Sequence, residues 1–291
     1  MTPVQPSPSS QKVVLISGAT SGFGRETALL LARKGYRVFA GYRDKAKGDL
    51  LSQEARREGI PLDTVPLDIT GSKSPYEAVA SVLKEAGRLD VLINNAGYGL
   101  AGPVEELEIE EVEAQFNTNV YGQLRLTKAA IPIMRKQRSG TLIFLSSIAG
   151  QFGFPFFSAY CASKHAIEAF GEALRHELQG FGIFSVLVEP GMFKTGFVQT
   201  NLALGKNTLR PESPYYETGK AAREKYFKKD DGAPPARIVA EKILEILGKS
   251  RPKLRYQVGM DSSLMIRLKK LLPSAWTEYF VRKNYEPNNL K

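Results

Sequence analysis

The stretch "KVVLISGATSGFGRETALLLARKGYRVFAG", residues 12–41, decides the fold. It opens with a short apolar run and turns through Gly18, Gly22 and Gly24. It then carries Ala28, Leu29, Leu31 and Ala32 at helical spacing before stopping at Gly35. A second apolar run, "YRVFAG", follows at once. Strand, helix and strand in so short a span make a βαβ unit, which forces the two strands to lie parallel.

The same alternation continues to Glu189. Further strands are expected in "PLDTVPLDI" (61–69), "RLDVLINNAG" (88–97), "GTLIFLSS" (140–147), "GIFSVLVEPG" (182–191) and, last, "KLRYQVG" (253–259). Each is nearly continuous in apolar residues, the pattern of strands covered on both faces. Helices are expected near Lys45 to Glu58, Pro75 to Ala86, Ile109 to Arg135, Ser158 to Phe181 and Ala236 to Gly248. Ser74 followed by Glu77 fits a capping box for the second of these. The fold class is therefore α/β, a doubly wound parallel sheet of about seven strands with helices on both faces.

The chain of 291 residues suits one domain, residues 12–291, behind a loose tail at 1–11. Residues 196–235 mix Pro, Gly, Lys and Tyr and read as a mobile insertion with one or two short helices. Residues 258–291 read as a basic helical extension. No apolar run reaches the ~18–20 residues that span a bilayer, and the first residues lack the features of a secretory signal. With a single cysteine, Cys161, no internal disulfide can form, and a soluble protein of the reducing cytoplasm is expected. Net charge is +10, and the last 41 residues hold nine Lys or Arg against three Asp or Glu. No nucleic-acid motif accompanies that charge, so it reads as a solvated basic surface. The mixed segment "LMIRLKKLLPSAWTEYF" either packs on the fold or touches a membrane surface.

Glycines in a turn between strand and helix let backbone N–H groups approach a pyrophosphate. Here the spacing is G-x-x-x-G-x-G. At the end of the second strand, where NAD-binding folds place a carboxylate for the ribose 2′-hydroxyl, this chain has Tyr42 and Arg43. A guanidinium there pairs with a 2′-phosphate, so NADP(H) is expected, although Asp44 beside it pulls the other way.

Tyr160 and Lys164 in "SAYCASKHAIEAF" stand one helical turn apart on one face. A neighbouring ammonium favours phenolate, so a lowered tyrosine pKa is expected, suited to proton exchange with an alcohol or carbonyl oxygen. Such a pair is common on ordinary helices, and its company singles it out. Ser147 lies 13 positions earlier at the carboxyl edge of the sheet, with Ser146 as its competitor, and "NNAG" (Asn94 to Gly97) ends another strand at that edge. Asn119, within the long fourth helix, reads equally well as a packing amide.

Taken in order, "SGATSGFG" (17–24), "LD" at Asp68, "NNAG", "NTNV" (117–120), "SS" (146–147), "YCASK" (160–164) and "EPGMFKT" (189–195) resemble the short-chain dehydrogenase/reductase superfamily, in the branch of hydroxysteroid and retinol dehydrogenases with a C-terminal extension. The resemblance covers Lys12 to Phe197 well and the rest loosely. It implies a Rossmann-type fold and an oxidoreductase that interconverts a primary or secondary alcohol and its carbonyl. Position by position, it implies a catalytic tetrad of Asn119, Ser147, Tyr160 and Lys164. Asn119 would hold a water that relays protons to Lys164, and Lys164 would also bond the nicotinamide ribose. Gly18, Ser21, Gly22, Phe23 and Gly24 would take the pyrophosphate, and Asp68 and Ile69 the adenine. Asn94, Asn95, Ala96 and Gly97 would border the cofactor, and Pro190, Gly191 and Thr195 would embrace the nicotinamide. Ser17 stands where the family often has Thr, and Phe23 where Ile is usual. No metal is implied, and a homodimer or homotetramer is.

Phe152, Phe154, Phe156 and Phe157, between Ser147 and Tyr160, suggest an apolar substrate if they face the cleft, and a core or interface if they do not. With the resemblance they favour a steroid-, retinoid- or long-chain-like alcohol or ketone. A 3-oxoacyl thioester reductase is the enzymatic alternative, and a dinucleotide-binding regulator without catalysis is the alternative of another class.

Overall fold

The protein is described from a computed structural model covering residues 11–285. Seven parallel strands form the central sheet: β1 (Val13–Ile16), β2 (Arg37–Tyr42), β3 (Leu62–Pro66), β4 (Val91–Asn94), β6 (Gly140–Leu145), β7 (Ile183–Pro190) and β9 (Arg255–Val258). Their spatial order is β3-β2-β1-β4-β6-β7-β9, so the chain winds outward in opposite directions from β1. Loops leaving β1 and β4 diverge at this reversal and open a crevice at the carboxyl edge, where doubly wound sheets bind ligands.

Successive side chains of each strand enter opposite cores. Val14 and Ile16 pack with Ala28 and Leu31 of α1 (Gly22–Arg33), Leu51 of α2 (Lys45–Arg57) and Val239 and Ile243 of α9 (Arg237–Leu247). Val13 and Leu15 pack on the other face with Val82 of α3 (Ser74–Ala86), Leu126 and Met134 of α5 (Gln123–Gln137) and Ile167 of α6 (Ser158–Leu178). This is a sheet covered by helices on both faces.

Four local expectations are corrected. Ser74 does not cap α3: its hydroxyl accepts from the Asp68 N–H at 2.9 Å and ties the end of β3 to the helix, while Lys73 stands at the N-cap. The helix expected over 109–135 divides into α4 (Ile109–Phe116), a π-helical stretch over Asn117–Gly122 and α5, and the wider turn inserts Asn119 into the interior. The helix expected to reach Phe181 ends at Leu178 and passes into a 3₁₀ turn, Gln179–Phe181. The segment after Gly196 is also more regular than its composition suggests. It holds α7 (Phe197–Thr200), β8 (Leu202–Leu204) and the sixteen-residue α8 (Tyr216–Asp231), and β8 pairs in parallel with β5 (Gly99–Ala101) in a second small sheet.

The chain closes with α10 (Met260–Leu271) and α11 (Ser274–Tyr285). α10 packs on the fold: Ile266 joins Phe152 and Phe154 in a small apolar cluster, and the Ser262 hydroxyl donates to the Glu189 carbonyl at 2.9 Å. Among the described residues no helix is long and apolar enough to cross a membrane.

Candidate active site

A cleft of about 780 Å³ runs along the carboxyl edge, from Arg43 and Asp68 at one end, past Gly18 to Phe23 and Asn95 to Gly97, to Tyr160 and Lys164. The glycine turn forms its floor. Gly18 adopts a left-handed conformation (φ +63°), which L side chains rarely take, and Gly24 packs so closely that a Cβ would lie 2.3 Å from the Gly18 carbonyl oxygen. Gly24 therefore does not line the cleft as expected; it holds α1 against the turn. Ser21 caps α1 without a side-chain hydrogen bond, and no acidic residue stands in the first turn. Such a helix start receives an anion. The residues present thus fit a dinucleotide pyrophosphate.

The turn is fastened from the neighbouring strand end. The Ser17 hydroxyl accepts from the N–H groups of Asn95 and Ala96, both at 3.1 Å, and Asn95 Nδ2 donates to the carbonyls of Ser17 (3.0 Å) and Gly18 (2.9 Å). Asn94, also expected to border a cofactor, is fully buried instead and donates to the Thr127 hydroxyl at 3.0 Å. One strand position separates the two asparagines, and the pleat sends them to opposite places.

At the far end of the cleft Arg43 is joined by Lys47, a residue outside every motif of the sequence. Asp44 between them is the N-cap of α2 and accepts from the Lys47 N–H at 3.3 Å. Neither Arg43 nor Lys47 makes a side-chain ion pair among the described residues. Asp68 and Ile69 line the cleft beside them. One carboxyl oxygen of Asp68 accepts from the Thr70 N–H (2.9 Å) and hydroxyl (2.7 Å).

At the other end α6 presents Tyr160 and Lys164. The Tyr160 hydroxyl lies beside that of Ser147, and Lys164 Nζ lies 5.7 Å from the tyrosine ring centre while donating to the Leu145 carbonyl at 2.6 Å. Both Ser146 and Ser147 line the cleft, but only Ser147 meets the phenol; Ser146 Oγ is buried without a partner among the described residues. Pro190, Gly191 and Thr195 close the wall beside this group.

The expected lowering of the tyrosine pKa is not found. Burial pushes the phenol up, the hydrogen bond from Ser147 only partly offsets this, and the resting side chain is protonated. Burial also lowers Lys164 to about 8, against an opposing pull from Glu168 one turn further along α6. Desolvation prevails even though the ammonium donates to the Leu145 carbonyl.

Asn119 does not line the cleft. Its carboxamide bonds the Tyr98 N–H (3.0 Å) and carbonyl (2.9 Å) and the Ser163 hydroxyl (3.1 Å), and so clamps the strand-four loop to α6. The four phenylalanines also separate. Phe154 and Phe157 face the cleft, Phe152 is buried stacked on Phe154 at 6.0 Å, and Phe156 occupies a left-handed turn (φ +63°). Across from Phe157 stands Tyr226 of α8 at 5.0 Å, and Phe197 of α7 lies 5.9 Å from Tyr160. Sequence alone held no signal for these two rings beyond the aromatic content of the insertion.

The short chain dehydrogenase family model matches residues 12–203. A 3-ketodihydrosphingosine reductase of Bacteroides thetaiotaomicron is 36% identical over 277 residues, covering 94% of this chain and 98% of its own. Human retinol dehydrogenase 8 is 36% identical over 269 residues, covering 89% and 85%. Among solved structures, a short-chain dehydrogenase/reductase of Burkholderia phymatum in complex with NAD superposes with a TM-score of 0.78 at 25% identity, covering 90% and 93%. An actinorhodin polyketide ketoreductase with NADPH superposes with a TM-score of 0.73 at 28% identity, covering 86% and 96%. A nicotinamide dinucleotide is the cofactor that these neighbours and the glycine turn support together. The chain belongs to the short-chain dehydrogenase family of oxidoreductases.

Proposed function

We propose that the protein is an NADP(H)-dependent oxidoreductase that interconverts a lipophilic alcohol and its carbonyl, with Ser147, Tyr160 and Lys164 as its chemical centre. The observation that carries this reading is the Ser147–Tyr160 hydroxyl pair, backed by a buried lysine, at the end of a cleft whose other end holds a glycine turn and two cations.

In the reducing direction the two hydroxyls receive the carbonyl oxygen, and Tyr160 gives it a proton. Burial keeps the phenol protonated, which is the form that donates, and stabilisation of the developing phenolate must supply the driving force for transfer. Lys164 stabilises the phenolate left behind, and Ser147 holds the oxygen in place. A nicotinamide dinucleotide held along the glycine turn would supply or accept the hydride. Arg43 and Lys47 support NADP over NAD, since Asp44 is engaged as a helix cap and two cations without ion partners among the described residues remain for a 2′-phosphate. Phe154, Phe157, Phe197 and Tyr226 support an apolar substrate, as do the activities named for two relatives, a 3-ketodihydrosphingosine reductase and a retinol dehydrogenase.

The test is NADPH consumption with long-chain, steroid and retinoid carbonyls. Tyr160→Phe is expected to cut turnover by ~10²- to 10⁴-fold while NADPH binding persists. Turnover equal to that of the wild type would remove the phenol from the mechanism.

A further inference from the structure

Four carboxyl side chains are buried in the described structure: Asp90, Glu168, Glu189 and Asp230. Three of them have an arginine. Asp90 is bridged by Arg88 at 2.6 Å, Glu168 meets Arg255 at 2.9 Å, and Glu189 lies 3.8 Å from the same guanidinium. Asp230, only 1% exposed, makes no ion pair among the described side chains. Its described side-chain partner is Gln199, whose Nε2 donates to Oδ2 at 2.8 Å. An amide donor satisfies one lone pair and brings no positive charge to the carboxyl group.

The exception among the four is also the one that borders the cleft. Asp230 stands one helical turn after Tyr226 on α8, so both fall on the helix face turned toward the cleft. The ring contacts from Tyr226 to Phe157 and from Phe197 to Tyr160 place this face beside the substrate end. An acid without an arginine therefore stands in a wall that also holds Phe157, Phe197 and Tyr226, with Thr200 and Asn201 beside it.

We propose that Asp230, with Gln199 as its positioning residue, forms a polar subsite that binds the ammonium group of a lipophilic amino ketone or amino alcohol. The substrate's cation would take the place that arginine fills at the other three buried acids, while its chain lies against Phe157, Phe197 and Tyr226. This rests on the alcohol–carbonyl reading above and narrows its substrate class. A hydroxyl donates one hydrogen bond and cannot neutralise the acid, so the subsite discriminates an amine from both an alcohol and a plain alkyl chain.

The test uses the full chain and pairs turnover with binding. kcat/KM is measured for long-chain ketones carrying a primary amine at increasing distance from the carbonyl, and for their hydroxy and unsubstituted counterparts. Long-chain amino alcohols are titrated calorimetrically into the wild type and Asp230→Asn, a substitution that keeps an acceptor for Gln199. The best-spaced amino ketone is expected to be preferred about tenfold to a hundredfold over its unsubstituted counterpart, and Asp230→Asn is expected to abolish both that preference and the tighter amine binding. An amine preference unchanged in Asp230→Asn, or a wild type that prefers the hydroxy ketone or shows no preference, overturns the subsite. Should no ketone react while amine binding still depends on Asp230, the subsite stands and the reaction reading falls. Where plain ketones react without an amine preference, the reaction reading stands and the subsite falls. Competition between a long-chain alkylamine and the equal-length alcohol as inhibitors of the wild type provides a second measure that needs no variant, and equal inhibition overturns the proposal.

Discussion

The two ends of the cleft are built by different means. At the dinucleotide end, backbone and short polar side chains do the positioning: Ser17 and Asn95 lace the glycine turn to the end of β4, and Gly24 seats α1 on the Gly18 carbonyl. At the substrate end, residues distant in the chain meet through rings, Phe157 with Tyr226 and Tyr160 with Phe197, alongside the three-pair ladder of β5 and β8 and a bond from the Gly102 N–H to the Phe156 carbonyl at 2.8 Å. Backbone lacing tolerates little change, because atoms at hydrogen-bond distance have nowhere to go. Ring contacts can be exchanged for others of similar volume. One end is thus suited to an invariant ligand part and the other to a variable one.

That contrast is most exposed at Gly24. Gly24→Ala forces a Cβ against a backbone oxygen, so a loss of about 1–3 kcal/mol or more in stability is expected together with loss of dinucleotide binding. Chemical denaturation and a nucleotide titration would measure both, and a variant as stable and as well bound as the wild type would break the comparison. A smaller effect is expected at the outer edge of the same end. Replacing Arg43 and Lys47 together by Ala should reduce the preference for NADPH over NADH by ~10- to 100-fold, with the effect falling as salt rises. An unchanged ratio of kcat/KM for the two cofactors would place specificity elsewhere.

The smallest effect concerns the wall behind the site. Glu189 is fully buried, and burial, with Glu168 adding to it, raises its pKa from the usual 4.5 to about 7 against the hydrogen bonds from Gln257 and Gln151 and the charge of Arg255. A raised folded-state pKa contributes stability that is complete below about 4.5 and is lost as pH rises through about 7. Thermal melts from pH 4.5 to 7 should show this as a decline in stability, with a shallower slope in Glu189→Gln. A slope identical in both proteins would show that the proton sits elsewhere.

Much of the dinucleotide end was legible in the chain because its signals are local. Strand, glycine turn and helix follow one another within residues 12–41, and at the other end of the cleft Tyr160 and Lys164 declare a shared face by their spacing. Lys47 carries a similar signal, four residues after Arg43, yet a cation at the start of a helix is too ordinary to stand out. Asn94 and Asn95 differ by one place in the pleat, which depends on where β4 ends. The small sheet was not legible: three-residue strands show no periodicity, and β5 and β8 lie about a hundred residues apart. α8 has exposed residues through most of its length, so its pattern lacks the apolar stripe that marks a core-facing helix.

What the amino-acid order determined by itself is the winding of the sheet, the turn that receives a phosphate, and the pairing of a phenol with an ammonium one turn away. Each follows from the fixed repeat of a strand or a helix. The tertiary structure alone decided which serine meets the phenol, where the Asn119 amide is spent, and that burial sets the tyrosine's protonation. It also decided that a buried acid without an arginine should border the substrate end. Desolvation and hydrogen-bond partnership depend on what surrounds a group in space, and no local periodicity encodes that.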